Sequence, residues 1–152
     1  MQLNHTRFGT IDFKQEDILM FREGLIGFPQ LQEFLLLNHS DDSPFRWLQS
    51  IDEPGLAFLV ADPWHFVENY EVDIPEDAVR TLELSMTTLH SLWTTARIPE
   101  GNTQEMTINL AAPIVLNLEN RLGKQVVLEG EAYNIRHRVF RVVVSEPEKQ
   151  AA

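Results

Sequence analysis

Cysteine is absent from this chain of 152 residues. That excludes disulfides, thiolate metal sites and a cysteine nucleophile, and it fits a reducing compartment. Long hydrophobic runs are absent too. Apolar stretches such as FLLL and AFLVA are far too short to span a bilayer. The opening residues, MQLNHTRFGTIDF, show no basic segment leading into an apolar one, so no secretory signal is expected. These absences suggest a cytoplasmic protein with a single domain over residues 1–140. Residues 141–152, which include SEPEKQAA, would form a C-terminal tail, loose at its end.

Positive charge is scarce. Asp and Glu number 23 against 12 Lys and Arg, a formal net charge of −11. Nucleic acid and anionic membrane should both repel such a surface, so we expect neither as a direct partner. The excess is not spread evenly. Residues 129–152 balance, so the imbalance lies in residues 1–128. It is densest at 62–83, where Asp62, Glu68, Glu71, Asp73, Glu76, Asp77 and Glu83 face only Arg80. Acidity of this kind also serves solubility alone.

The stretch EGLIGFP, residues 23–29, concentrates two of the seven glycines. A phosphate loop would need G-x-G-x-x-G or a G-K-[ST] ending, followed by a helix. Neither is present, and Glu23 has the wrong charge for an anion. The stretch reads instead as a tight bend. Gly24 and Gly27 would take positive φ, Leu25, Ile26 and Phe28 would pack, and Pro29 would fix the exit.

Most other segments have β periodicity. TRFGTIDF suggests a hairpin around Gly9, with Phe8, Ile11 and Phe13 turned inward. DILMF, EFLLLN, FRWLQSI, GLAFLVA, SLWTTARI, MTINL, PIVLNL and QVVL read as strands. ENRLGK suits the loop between the last two. DIPEDAVRTLEL is the main helical signal, with Asp73 as N-cap, Pro75 in the first turn, and Val79 and Leu82 on one face. PQLQEF could hold one further turn. The fold class expected is mainly β, a small antiparallel β-barrel-like domain with one or two short helices.

Chemistry-bearing motifs are lacking. The five histidines are scattered and none forms H-x-x-x-H. No serine stands in G-x-S-x-G, and no EF-hand loop occurs. Adjacent carboxylates such as Asp41-Asp42 and Glu76-Asp77 diverge on regular structure. We expect no catalytic residue, no metal and no cofactor.

The ordered set EGLIGFP, FRWLQSIDEPGLAFLVADP, NLAAPIVLN, GKQVVL and YNIRH resembles the FliW family of flagellar assembly factors. The likeness runs from about Leu3 to His137. It departs from the family pattern at Ile26, where proline is common, and it does not extend beyond Phe140. The resemblance implies a small β-barrel that is not an enzyme and is a monomer when free. It implies two protein partners: CsrA, a translational repressor that binds messenger RNA, and flagellin. In that scheme the protein antagonises RNA binding by CsrA non-competitively, and flagellin competes for it in a partner switch. A flagellin export chaperone without a regulatory role is an alternative. A small-molecule-binding barrel is a more distant one.

Two segments are candidate partner contacts. In NLAAPIVLN, Pro113 lacks an N–H and so marks a strand edge, start or bulge. An edge there would open the backbone of Leu110 to Ala112 to another chain, with Asn109 and Asn117 offering amides at its ends. The contact residues would be Asn109, Ala111, Ala112 and Pro113, while Ile114, Leu116 and Leu118 fill the core. The second segment is the acidic stretch, with Glu68, Glu71, Asp73 and Asp77. Each has an ordinary alternative, an edge-protecting proline and a solvated charged face.

Overall fold

A computed structural model of the chain describes residues 1–130 and 132–140; the expected tail, residues 141–152, lies outside them. Among the described residues there are eleven strands: β1 (Gln2–Thr6), β2 (Gly9–Asp12), β3 (Leu19–Met20), β4 (Glu33–Asn38), β5 (Phe45–Ser50), β6 (Ala57–Ala61), β7 (His90–Arg97), β8 (Thr107–Ile108), β9 (Ile114–Asn117), β10 (Leu122–Gln125) and β11 (His137–Arg138). The order β7-β6-β5-β4-β3-β10-β9 closes into a barrel because β9 pairs back onto β7. Its pairings are antiparallel except β3–β10, which is parallel, with Met20 opposite Leu122. Strands β8 and β11 extend the sheet from the far end of β7. Strands β1 and β2 form a separate hairpin.

Side chains alternate between two clusters, as a strand period of two requires. Val60, Ile114 and Leu116 join Leu19, Phe21, Phe34 and Leu48 in the barrel interior. Their neighbours Ala61 and Val115 face outward and pack with Leu92, Leu122 and Val126. That outer layer is covered by Tyr70, Ala78 and Leu82 from the long connection between β6 and β7. Fully burying a leucine or phenylalanine contributes roughly 1.5–3 kcal/mol, so both layers matter to stability. Phe8 is 42% exposed, not turned inward, and its ring lies 5.3 Å from that of Trp47 on β5.

Several elements differ from their sequence reading. DILMF and MTINL shrink to two-residue strands. The strand expected at QVVL begins earlier, at Leu122, inside the expected loop. Asn117 and Asn120 cause this: their side-chain oxygens accept from the N–H groups of Glu119, Asn120 and Leu122, which tightens the turn. PQLQEF contains no helical turn, and β4 starts within it at Glu33. The helix α1 is short, Glu76–Thr81, with Pro75 rather than Asp73 at its N-cap. A residue before proline is pushed away from the helical region, so Ile74 bars an earlier start and leaves Asp73 in extended chain.

EGLIGFP is a tight hairpin. Leu25 and Phe28 exchange backbone hydrogen bonds of 2.8 and 3.2 Å around Ile26 and Gly27. Gly24 and Gly27 both have positive φ, 67° and 88°. Leu25 is buried and Phe28 half-buried, but Ile26 does not pack: it is 56% exposed. The two glycines are needed for different reasons. A Cβ on Gly27 would meet nothing within 4 Å, whereas one on Gly24 would stand 2.7 Å from Pro29 Cα, against backbone. Gly27→Val should therefore cost about 1 kcal/mol or more from backbone strain alone. Gly24→Ala should cost more, because collision adds to strain. Denaturant melts of the two variants measure the order. Equal losses would mean that the close approach at Gly24 relaxes freely.

Candidate functional site

The NLAAP corner follows from how β7 is shared. Along one edge, Trp93 pairs with Ile114, and Ala96 pairs with Ile108. Between those pairs, β7 spends two residues and the opposite chain spends five. The surplus bulges as residues 109–113, and Pro113 stands just before β9. Proline there marks the start of a strand, one of the roles expected of it.

The corner is not an open edge. Its backbone is used within the molecule: Asn109 N–H donates to Thr95 O, and Leu110 N–H to Asn134 O. The carbonyls of Ala111 and Pro113 accept from Leu128 and Val126 N–H, both at 2.8 Å. Leu110 O accepts the Tyr70 hydroxyl at 2.6 Å, and Ala112 O accepts Gln125 Nε2 at 3.0 Å. Ala112 and Pro113 are buried. The two amides are also occupied. Asn109 Oδ1 accepts from Ala111 N–H, while Asn117 is buried and donates to Leu82 O at 2.7 Å. Of the four corner residues, Ala111 and Asn109 keep partial exposure.

The acidic residues divide as well. Glu68, Glu71, Asp73 and Asp77 are all exposed. Asp77 lies in the first turn of α1, beside an exposed Arg80–Glu76 pair at 4.0 Å. Glu71 and Asp73 instead line a cavity of about 560 Å³, together with Ala111. The two candidate segments therefore meet at this cavity, through three of the eight residues. Pro75, Leu128, Gly130, Ala132 and Tyr133 complete most of its wall, and Glu129 supplies a third carboxylate. No lysine or arginine lines it among the described residues. Sequence reading missed Glu129, which counted as balanced by nearby arginines. It also missed Tyr133, which carried no signal except its place in YNIRH.

Tyrosines hold the cavity's shape. Tyr70 is 3% exposed, and its ring meets Tyr133 edge-on at 4.7 Å. Tyr133 Oη accepts from Glu71 N–H at 2.9 Å. Trp64 Nε1 donates to Tyr70 O at 2.8 Å. Among the described residues, no group of three or more His, Asp or Glu is placed to hold a metal ion. Among the described residues, no helix is long and apolar enough to cross a membrane.

Burial, and secondarily Tyr133, raise the pKa of the Tyr70 hydroxyl above the ordinary tyrosine value. The sign follows directly: the neutral phenol's stabilising effect is complete below the unfolded pKa of about 10 and is lost as pH rises above it. Stability should fall in that range, and Tyr70→Phe should flatten the fall. At neutral pH the same variant should cost about 1–3 kcal/mol, because Leu110 O loses its donor. Chemical melts at neutral and alkaline pH check both effects. An unchanged alkaline slope in Tyr70→Phe would overturn the assignment.

Comparison with known proteins places this geometry. A family model described as FliW protein matches residues 2–139, about the span of the resemblance seen in the sequence. The flagellar assembly factor FliW of Magnetococcus marinus is 42% identical over 127 residues, covering 84% of this chain and 78% of its own. Its counterpart in Caldanaerobacter subterraneus is 40% identical over 141 residues, covering 92% and 93%. A crystal structure of the flagellar assembly factor FliW superposes with a TM-score of 0.86 and 32% identity, over 95% of this chain and 100% of that one. With the barrel, its order of motifs and nearly its whole described length in common with these proteins, the chain belongs to the FliW family.

Proposed function

We propose that this protein is a flagellar assembly regulator that acts in the cytoplasm through protein partners and not as an enzyme. It binds CsrA and weakens the hold of CsrA on RNA without occupying the RNA site. It also binds flagellin, and the two partners exchange. Family membership over residues 2–139 carries this reading. The concentration of carboxylates on the connection between β6 and β7 supports the mechanism. Glu68, Glu71, Asp73 and Asp77 are exposed, and among the described residues none of them forms an ion pair; the nearby pair is Arg80 with Glu76. An acidic body docked beside a basic RNA-binding surface repels approaching phosphate without covering it. Of the earlier contact candidates, Ala111 and Asn109 remain in the proposal, whereas buried Ala112 and Pro113 act by shaping the corner.

The test replaces Glu68, Glu71, Asp73 and Asp77 with their amides. Side-chain size barely changes while four negative charges disappear. Binding to CsrA should survive, and the ratio of RNA affinities of CsrA with and without this protein should move toward one. Salt should blunt the wild-type effect, because charge reaches only about 8 Å at physiological ionic strength. Salt also weakens RNA binding itself, so the ratio is measured at each concentration. A ratio indifferent to both amides and salt would point to a conformational change transmitted through CsrA. Binding to flagellin without any binding to CsrA would favour the export chaperone.

A further inference from the structure

Beyond β10 the chain continues as an extended segment with one edge paired. Val126 and Leu128 direct their N–H groups to Pro113 O and Ala111 O. Val126 is buried and Leu128 half-buried, while Val127 and Glu129 are exposed. In extended chain, successive N–H groups point to opposite edges as successive side chains point to opposite faces. The N–H and C=O of Val127 therefore face the other edge, where no backbone hydrogen bond occurs among the described residues. Val127 is itself 61% exposed. This free edge runs into the carboxylate cavity, since Leu128, Glu129 and Gly130 are part of its wall.

We propose that the Val127–Glu129 edge is a docking strand for an extended segment of a partner protein. That segment would carry an apolar residue and, two positions away on the same face, a lysine or arginine. The backbone would add to the edge at Val127. The apolar side chain would lie across from Val127, and the cation would reach Glu129, Glu71 and Asp73. None of those three carboxylates belongs to an ion pair among the described residues, so charge complementarity selects a basic segment. Unpaired edges are usually guarded by a central charge or a proline. Here an exposed valine occupies the centre and the charge stands to one side, over a cavity large enough for a long side chain. This proposal concerns the mode of docking and does not depend on which protein supplies the segment.

The probe is a short synthetic peptide with valine and lysine two positions apart, a serine between them, compared with a glutamate-for-lysine version and an N-methylated version that cannot pair by its backbone. Calorimetry reads affinity, and amide exchange followed by NMR reads the edge in the full chain. The lysine peptide should bind and slow exchange at the Val127 amide. N-methylation should weaken binding at least about tenfold, and the glutamate peptide should not bind. Glu129→Gln should weaken binding several-fold while leaving melting unchanged. Val127→Pro, which removes the edge N–H, should weaken binding of the lysine peptide at least about tenfold. No binding, equal binding by the N-methylated peptide, or protection elsewhere would overturn the proposal. So would a Val127 amide already slow in the free protein. Protection that rises with protein concentration and needs no peptide would identify a second copy of this chain instead, and would also overturn it.

Discussion

One strand, β7, must serve three neighbours, and the rest of the molecule is arranged around that demand. Its pairing with β9 closes the barrel, its pairing with β6 carries the meander, and its far end holds β8. A single edge cannot pair continuously with two strands whose registers disagree. The chain between them therefore bulges, and a bulge beside a buried layer leaves carbonyls needing donors. Tyr70 and Gln125 answer that need from two sides. The outer connection is thus tied to the corner by a phenol, and the glycine hairpin is tied to it by a glutamine whose oxygen also accepts Ile26 N–H. The cavity exists because these ties hold the connection at the corner without filling the space in front of it.

Much of the fold was legible because the apolar residues alternate. FRWLQSI and GLAFLVA became β5 and β6. The bend at Gly24 and Gly27 was readable from glycine spacing, since only backbone freedom explains two glycines there. Strand ends were less legible. The short β3 sits between its antiparallel partner β4 and a parallel contact of Met20 with Leu122 on β10, a segment far away in sequence. Local pattern cannot encode such a contact.

The candidate site was half legible for the same reason. Pro113 announced an irregularity, but not whether its backbone would be open or satisfied. The donors that satisfy it come from Leu128, Val126 and Tyr70, each remote in sequence. Asp73 looked like a helix cap because its residue type suits one. Pro75 overrode that preference, and the carboxylate was left at the cavity wall. Position in the fold, not residue type, separated the acids that line the cavity from those that only face water.

Gly123 has a consequence for how this barrel can vary. A Cβ there would stand 2.5 Å from the Phe21 ring and 2.9 Å from a Leu116 methyl. The ring thus occupies the volume that a side chain at this position of β10 would otherwise claim. Positions 21, 116 and 123 therefore share a fixed volume. In evolutionary terms they should drift together: a lineage that acquires a side chain at 123 must shrink its neighbour at 21 or 116, and a lineage that keeps the phenylalanine must keep the glycine.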